Sequence, residues 1–81
     1  MRLDKFLKVA RIFKRRTIAK EVSKNGRVLI NGRTAKPGSE VNPGDVLKIS
    51  YGEKTIKIKV LRIANHVKKQ DAENLYEIIN D

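Results

Sequence analysis

Leu3, Phe6, Leu7 and Ala10 repeat at the i, i+3, i+4, i+7 spacing of one helical face, and Lys5, Lys8 and Arg11 fall outside that stripe. The pattern predicts a short amphipathic helix over about 3–13, with Asp4 in its first turn, where a carboxylate suits the positive end of the helix dipole. A second helix is expected from Thr17, read as its N-cap, with Ile18, Ala19 and Val22 as a compact apolar face and Lys20 and Lys24 pointing elsewhere. Asn25-Gly26 closes it.

Beyond that point the period changes from helical to alternating. Val28 and Ile30 alternate with Arg27, Leu29 and Asn31, and Asn31-Gly32 is a tight-turn signal leading to 34–36. Pro37-Gly38 and Asn42-Pro43-Gly44-Asp45 punctuate loops around a short segment at Val41. Residues 46–49 read as a strand, Gly52-Glu53 as a turn, and 54–60 as a strand with Ile56, Ile58 and Val60 on one face and Lys57 and Lys59 on the other. The sum is an α+β fold, two short N-terminal helices packed on a small antiparallel sheet. In the last segment, 64–81, Ala72, Leu75, Ile78 and Ile79 have helical spacing, while 76–79 is equally compatible with an edge strand. Gly26, Gly32, Gly38 and Gly44 recur every six residues, but without a matching apolar repeat they read as ordinary turns rather than a solenoid.

With 81 residues the chain allows one domain of modest core. Residues 1–63 are expected to form it, with 64–81 as a short acidic C-terminal tail, helix or edge strand. No cysteine is present, which removes disulfides, thiolate zinc sites and thiol nucleophiles, and fits a reducing cytoplasm. His66 stands alone as the single histidine, so no metal cluster is expected. Neither a bilayer-spanning apolar run nor a signal peptide is visible, and a soluble cytoplasmic protein is the expectation.

The net charge is +10, unevenly placed: residues 1–24 carry nine Lys or Arg against Asp4 and Glu21, whereas 51–81 are nearly balanced. A polyanion meeting one face is the ligand this asymmetry suggests, held by contacts that weaken as salt rises. Catalysis is not indicated, because no carboxylate pair, Ser–His pair or phosphate loop is present and Gly52-Glu53-Lys54-Thr55 lacks the upstream glycine of one. DNA reading by a helix-turn-helix is disfavoured by the short apolar Ile18 and Ala19 at the start of the second helix. A lipid-surface helix is disfavoured by the small apolar face left once Leu3, Phe6 and Leu7 enter a core. Phe6 and Phe13 read as core residues, and Tyr51 and Tyr76 are ambiguous. With so few aromatics, recognition should be of the shape and backbone of folded RNA.

Arg2-Leu3-Asp4, Arg16-Thr17 with Ala19, Gly26 with Val28, Asn31-Gly32 and Pro43-Gly44-Asp45 together resemble the RNA-binding domain named after small-subunit ribosomal protein S-four, also called the alpha-L motif. The resemblance covers about residues 1–50 and implies a concave surface of two short helices and an adjoining strand and turn, applied to structured RNA. Within that family, the opening of residues 1–9 with Lys14-Arg15-Arg16-Thr17 and Lys20-Glu21-Val22 is similar to short stand-alone members that act in bacterial ribosome quality control. It implies, as partners, large-subunit ribosomal RNA, a stalled peptidyl-tRNA and an alanine-tailing quality-control protein, with this chain as a monomeric, cofactor-free adaptor. A ribosome-associated heat-shock or ribosome-assembly role is the alternative, set apart by the longer basic C-terminal extension of the heat-shock members.

The candidate RNA-binding residues are Arg2, Asp4, Lys5, Lys8, Arg11, Lys14, Arg15, Arg16, Thr17, Lys20, Asn31 and Arg33. The arginines suit the sharpest contacts, since a planar guanidinium can grip two phosphate oxygens or stack on a base, and the lysines act more as point charges. Asp4 alone would repel RNA, so it is expected to serve the helix start and to orient Arg2 or Arg16 through an ion pair. Asn31 and Arg33, at the hairpin tip, are expected to reach sugar or phosphate groups.

Overall fold

In the computed structural model, which describes residues 1–79, two helices are followed by an antiparallel five-stranded sheet. The elements are α1 (Leu3–Val9), α2 (Arg16–Lys24), β1 (Val28–Ile30), β2 (Arg33–Thr34), β3 (Val46–Tyr51), β4 (Lys54–Val60), a 3-10 helix (Lys69–Leu75) and β5 (Tyr76–Ile78). The sheet order is β2-β1-β3-β4-β5. Cross-strand register aligns Ile30, Leu47, Ile58 and Ile78 in one row and Val28, Ile49 and Ile56 in the next. These rows lie on the helix-covered face of the sheet, because strand side chains alternate between faces, although Ile78 on the edge strand is exposed. Leu3, Phe6, Leu7, Ala19 and Val22 from the helices close the same cluster with Val28, Leu47, Ile49, Ile58, Val60 and Leu75.

The helical stripe of α1 is realised, but the helix stops four residues earlier than the expected end at 13. After Ala10 the chain turns left-handed at Arg11, with φ 57°. The Arg11 amide donates to the Lys8 carbonyl at 3.0 Å and the Ile12 amide to the Leu7 carbonyl at 3.0 Å. That pair of bonds is a Schellman cap, which uses up the last carbonyls of the helix. α2 ends the same way, with Gly26 at φ 72°, Gly26 N–H bonded to the Ser23 carbonyl and Arg27 N–H to the Val22 carbonyl. Glycine occupies the left-handed position without steric cost; an arginine does not. The redirected chain buries Phe13 at the edge of the core, and its ring meets the exposed Tyr51 edge-on at 5.3 Å.

One further detail differs from expectation, and one was not anticipated. Thr17 is not the N-cap of α2: Arg15 holds that position in an extended conformation, no side chain caps the helix, and Thr17 lies inside the first turn. Ser23, polar in the pattern, is buried because its hydroxyl bonds back to the Ala19 carbonyl at 2.7 Å. Of the two alternatives for the end of the last segment, residues 76–78 take the strand and pair with β4 as β5, while a 3-10 helix over Lys69–Leu75 delivers a fully buried Leu75. Of the acidic residues expected in that segment, Asp81 lies outside the described residues. Tight turns carry the hairpins: Asn31 (φ 51°) and Gly32 (φ 84°) form the two-residue loop between Ile30 and Arg33, with both angles positive as a type I′ turn requires.

Leu7 is fully buried at the helix–sheet junction, so Leu7→Ala is expected to lower unfolding free energy by about 2–5 kcal/mol, read by urea titration. Arg11→Gly relieves the left-handed strain at the cost of greater unfolded-chain freedom; its stability should be equal to the parent's or higher by up to about 1 kcal/mol in the same titration.

Candidate nucleic-acid interface

The start of α1 is held by backbone contacts with the loop before β3. Leu3 N–H donates to the Ser39 carbonyl at 2.8 Å, Asp4 N–H to the Pro37 carbonyl at 3.1 Å, and Lys5 N–H to Asp4 Oδ1 at 2.8 Å. These bonds satisfy amides that a helix start otherwise leaves without partners, two through loop carbonyls and one through the Asp4 carboxylate, while the N-cap residue Arg2 makes no side-chain cap. They also fix Asp4 at a depth where its side chain is 2% exposed.

A buried carboxylate is costly unless it is paired and hydrogen-bonded. Asp4 meets both conditions. Arg2 presents Nε to Oδ1 at 3.2 Å and Nη2 to Oδ2 at 3.3 Å, a two-point grip, and Arg16 Nε lies 3.7 Å from Oδ2. Neither guanidinium is buried with it, for the side chains of Arg2 and Arg16 are 54% and 50% exposed. One anchored anion therefore holds two cations at the surface, one from the residue before α1 and one from the first turn of α2, each with donors left over for a ligand.

Beside this triad the surface is concave. A cleft of about 450 Å³ is bordered by Lys5, Lys8, Arg11, Lys14 and Arg16, and among the described residues no carboxylate lines it. Its other side comes from the connection after β4, where Asn65, His66 and Val67 face the helices and Lys5 Nζ donates to Asn65 Oδ1 at 3.2 Å. Helix α1 supplies Lys5 and Lys8 from one side of its apolar stripe, the left-handed turn directs Arg11, and the loop to α2 adds Lys14. Five cations around one concavity produce a focused positive potential, suited to phosphate groups.

The remaining sequence candidates lie elsewhere. Arg15 and Lys20 are exposed on α2 outside the cleft, and Thr17 borders a shallow groove with Ile18, Glu21 and Tyr51. The Asn31 amide is occupied within the protein: Nδ2 donates to Asp45 Oδ1 at 3.0 Å, and Oδ1 accepts from Val46 N–H at 2.9 Å. Its side chain thus locks the hairpin to the start of β3, while Arg33 next to it is exposed. Asn65 and His66 were not among the sequence candidates. No motif marks them, and only the fold carries them opposite Lys8 and Arg11.

An S4 domain matches residues 1–47. Over all 81 residues the chain is 51% identical to an RQC P-site tRNA stabilizing factor of Listeria monocytogenes, spanning 88% of that protein, and 49% identical to one of Bacillus subtilis, spanning 94% of it. The fold is also that of the trimeric Vibrio cholerae Heat Shock Protein 15, with a TM-score of 0.89 and 31% identity over 98% of this chain and 81% of the other. The S4 domain is an RNA-binding domain, which accords with a surface built for charge complementarity. With half its residues shared along its full length, the chain belongs to the RQC P-site tRNA stabilizing factor family, built on an S4 domain.

Proposed function

We propose that this protein binds the large ribosomal subunit carrying a stalled peptidyl-tRNA, contacts ribosomal RNA and tRNA together, and so supports alanine tailing of the stalled chain by a partner protein. The observation that carries the proposal is the Asp4-anchored pair of guanidiniums beside a cleft of five cations. Two fixed forks and a concave cationic surface favour the backbone of a folded RNA over any single base edge. The names of the Listeria and Bacillus relatives, which specify a P-site tRNA and its stabilization, support the tRNA half of the reading.

The interface comprises Arg2, Lys5, Lys8, Arg11, Lys14 and Arg16, flanked by Arg15, Lys20 and Arg33. Thr17 acts through its place in the first turn of α2, and Asp4 and Asn31 position their neighbours. The protein supplies no chemistry of its own: it holds two RNAs in a fixed relation in the cytoplasm while the partner adds residues. One copy suffices for this bridging, and the trimeric state of the Vibrio relative makes solution mass worth measuring beside RNA binding. No helix among the described residues is long and apolar enough to cross a membrane, and Leu3, Phe6 and Leu7, which a lipid-lying α1 would need, are buried in the core.

Arg16→Ala should reduce co-sedimentation with large subunits about tenfold and flatten the salt dependence of binding by the equivalent of about one phosphate contact, with the fold retained. Unchanged co-sedimentation would remove Arg16 from the interface. Arg11→Gly should bind several-fold more weakly in the same assay although its fold is no less stable, a separation of affinity from stability that a purely structural Arg11 would not produce.

A further inference from the structure

The two walls of the cleft are chemically unlike. One is cationic, formed by Lys8, Arg11 and Arg16 with their lysine neighbours; the other carries no Lys or Arg and is formed by Asn65, His66 and Val67. Val67 is half-buried, as is Val9 on the cationic side, so the cleft has an apolar lining beneath its polar rim. A polyanion site needs only the first wall. The second is outside the S4 match at 1–47 and is delivered by the chain after β4.

Size and chemistry together restrict the occupant. A volume of about 450 Å³ lies in the range of pockets that take a small organic ligand, and the whole molecule measures only 28 × 28 × 23 Å, so the cleft cannot enclose a double helix. An unpaired nucleotide combines what the walls offer: an anionic phosphate, a hydroxyl-bearing sugar and a flat base. Unstacked bases are commonly held on histidine or aromatic rings and read along their edges by amides. Asn65 Oδ1 is engaged by Lys5 Nζ, which leaves the amide nitrogen as a donor to the sugar or base and ties the two walls together.

We propose that this cleft seats one unpaired nucleotide of the bound RNA, its phosphate against Lys8, Arg11 and Arg16 and its sugar and base against Asn65, His66 and the two valines. The inference rests on the RNA-binding reading above and adds the form of RNA that enters the site. It makes the segment after β4 part of the recognition surface and gives the protein a preference for RNA with an extruded or looped nucleotide over a continuous duplex.

The test compares the affinity of the full chain for two RNA probes, a hairpin with an unpaired loop and a blunt duplex built from the same stem. Binding is repeated with Asn65→Ala/His66→Ala, whose residues are exposed and leave the core intact, and with Arg16→Ala. The expected result is a preference for the hairpin on the order of tenfold, the scale of one base contact, that collapses in the double variant. Equal binding of the two probes by the parent, or a preference that survives in the double variant, would overturn the nucleotide seat. An Arg16→Ala protein that binds both probes as the parent does would instead overturn the interface on which the inference rests.

Discussion

A single carboxylate organises the surface of this small domain. Asp4 is buried, and an unpaired anion there would cost about 3–5 kcal/mol, a large share of the stability of a chain of 81 residues. The fold answers with a backbone amide from Lys5 and two guanidiniums, one from the residue before α1 and one from the first turn of α2. The same contacts that neutralise Asp4 fix where Arg2 and Arg16 stand. In the proposed interface, stability and recognition would share one interaction, and an acidic residue would not repel a phosphate there: its charge is matched inside, and the cations it holds are half-exposed.

The turn between α1 and α2 shows local backbone preference set aside: an arginine stands where glycine is the easier residue. Two consecutive helices end in the same hydrogen-bonded cap, one with Gly26 in the left-handed position and the other with Arg11. Glycine is the easier residue at such a site, and an arginine there carries a strain of about 1–2 kcal/mol. The strained position gives a guanidinium on the rim of the cationic cleft. Strained residues that also line a recognition surface are a recurrent sign that a position answers to binding.

Much of this fold is legible in the residues, and the part that is not has identifiable causes. The stripe of Leu3, Phe6, Leu7 and Ala10, the alternation along β4 and the Asn31-Gly32 turn are local patterns with a fixed period or a fixed backbone demand, and each appears where its pattern places it. The end of α1 is illegible because an arginine at the capping position carries no stop signal. Thr17 misleads because the first amides of α2 take no side-chain cap, so the usual capping chemistry has no part there. The Asn31 amide reads as free at a hairpin tip, yet Asp45 and Val46 claim it from across the sheet. The basic half of the cleft was readable as clustered charge. Its other half was not, because Asn65 and His66 come into place only when β4 and the chain after it return alongside α1.

The most direct measurement is the affinity of Asp4→Asn for large ribosomal subunits beside that of the parent, with both proteins shown to be folded by their amide spectra. The substitution removes one negative charge from the protein. If net charge alone governed binding, the variant would bind as tightly or more tightly. If the buried carboxylate presets Arg2 and Arg16, the variant will bind on the order of tenfold more weakly despite its greater positive charge. Affinity equal to or above that of the parent would contradict the account.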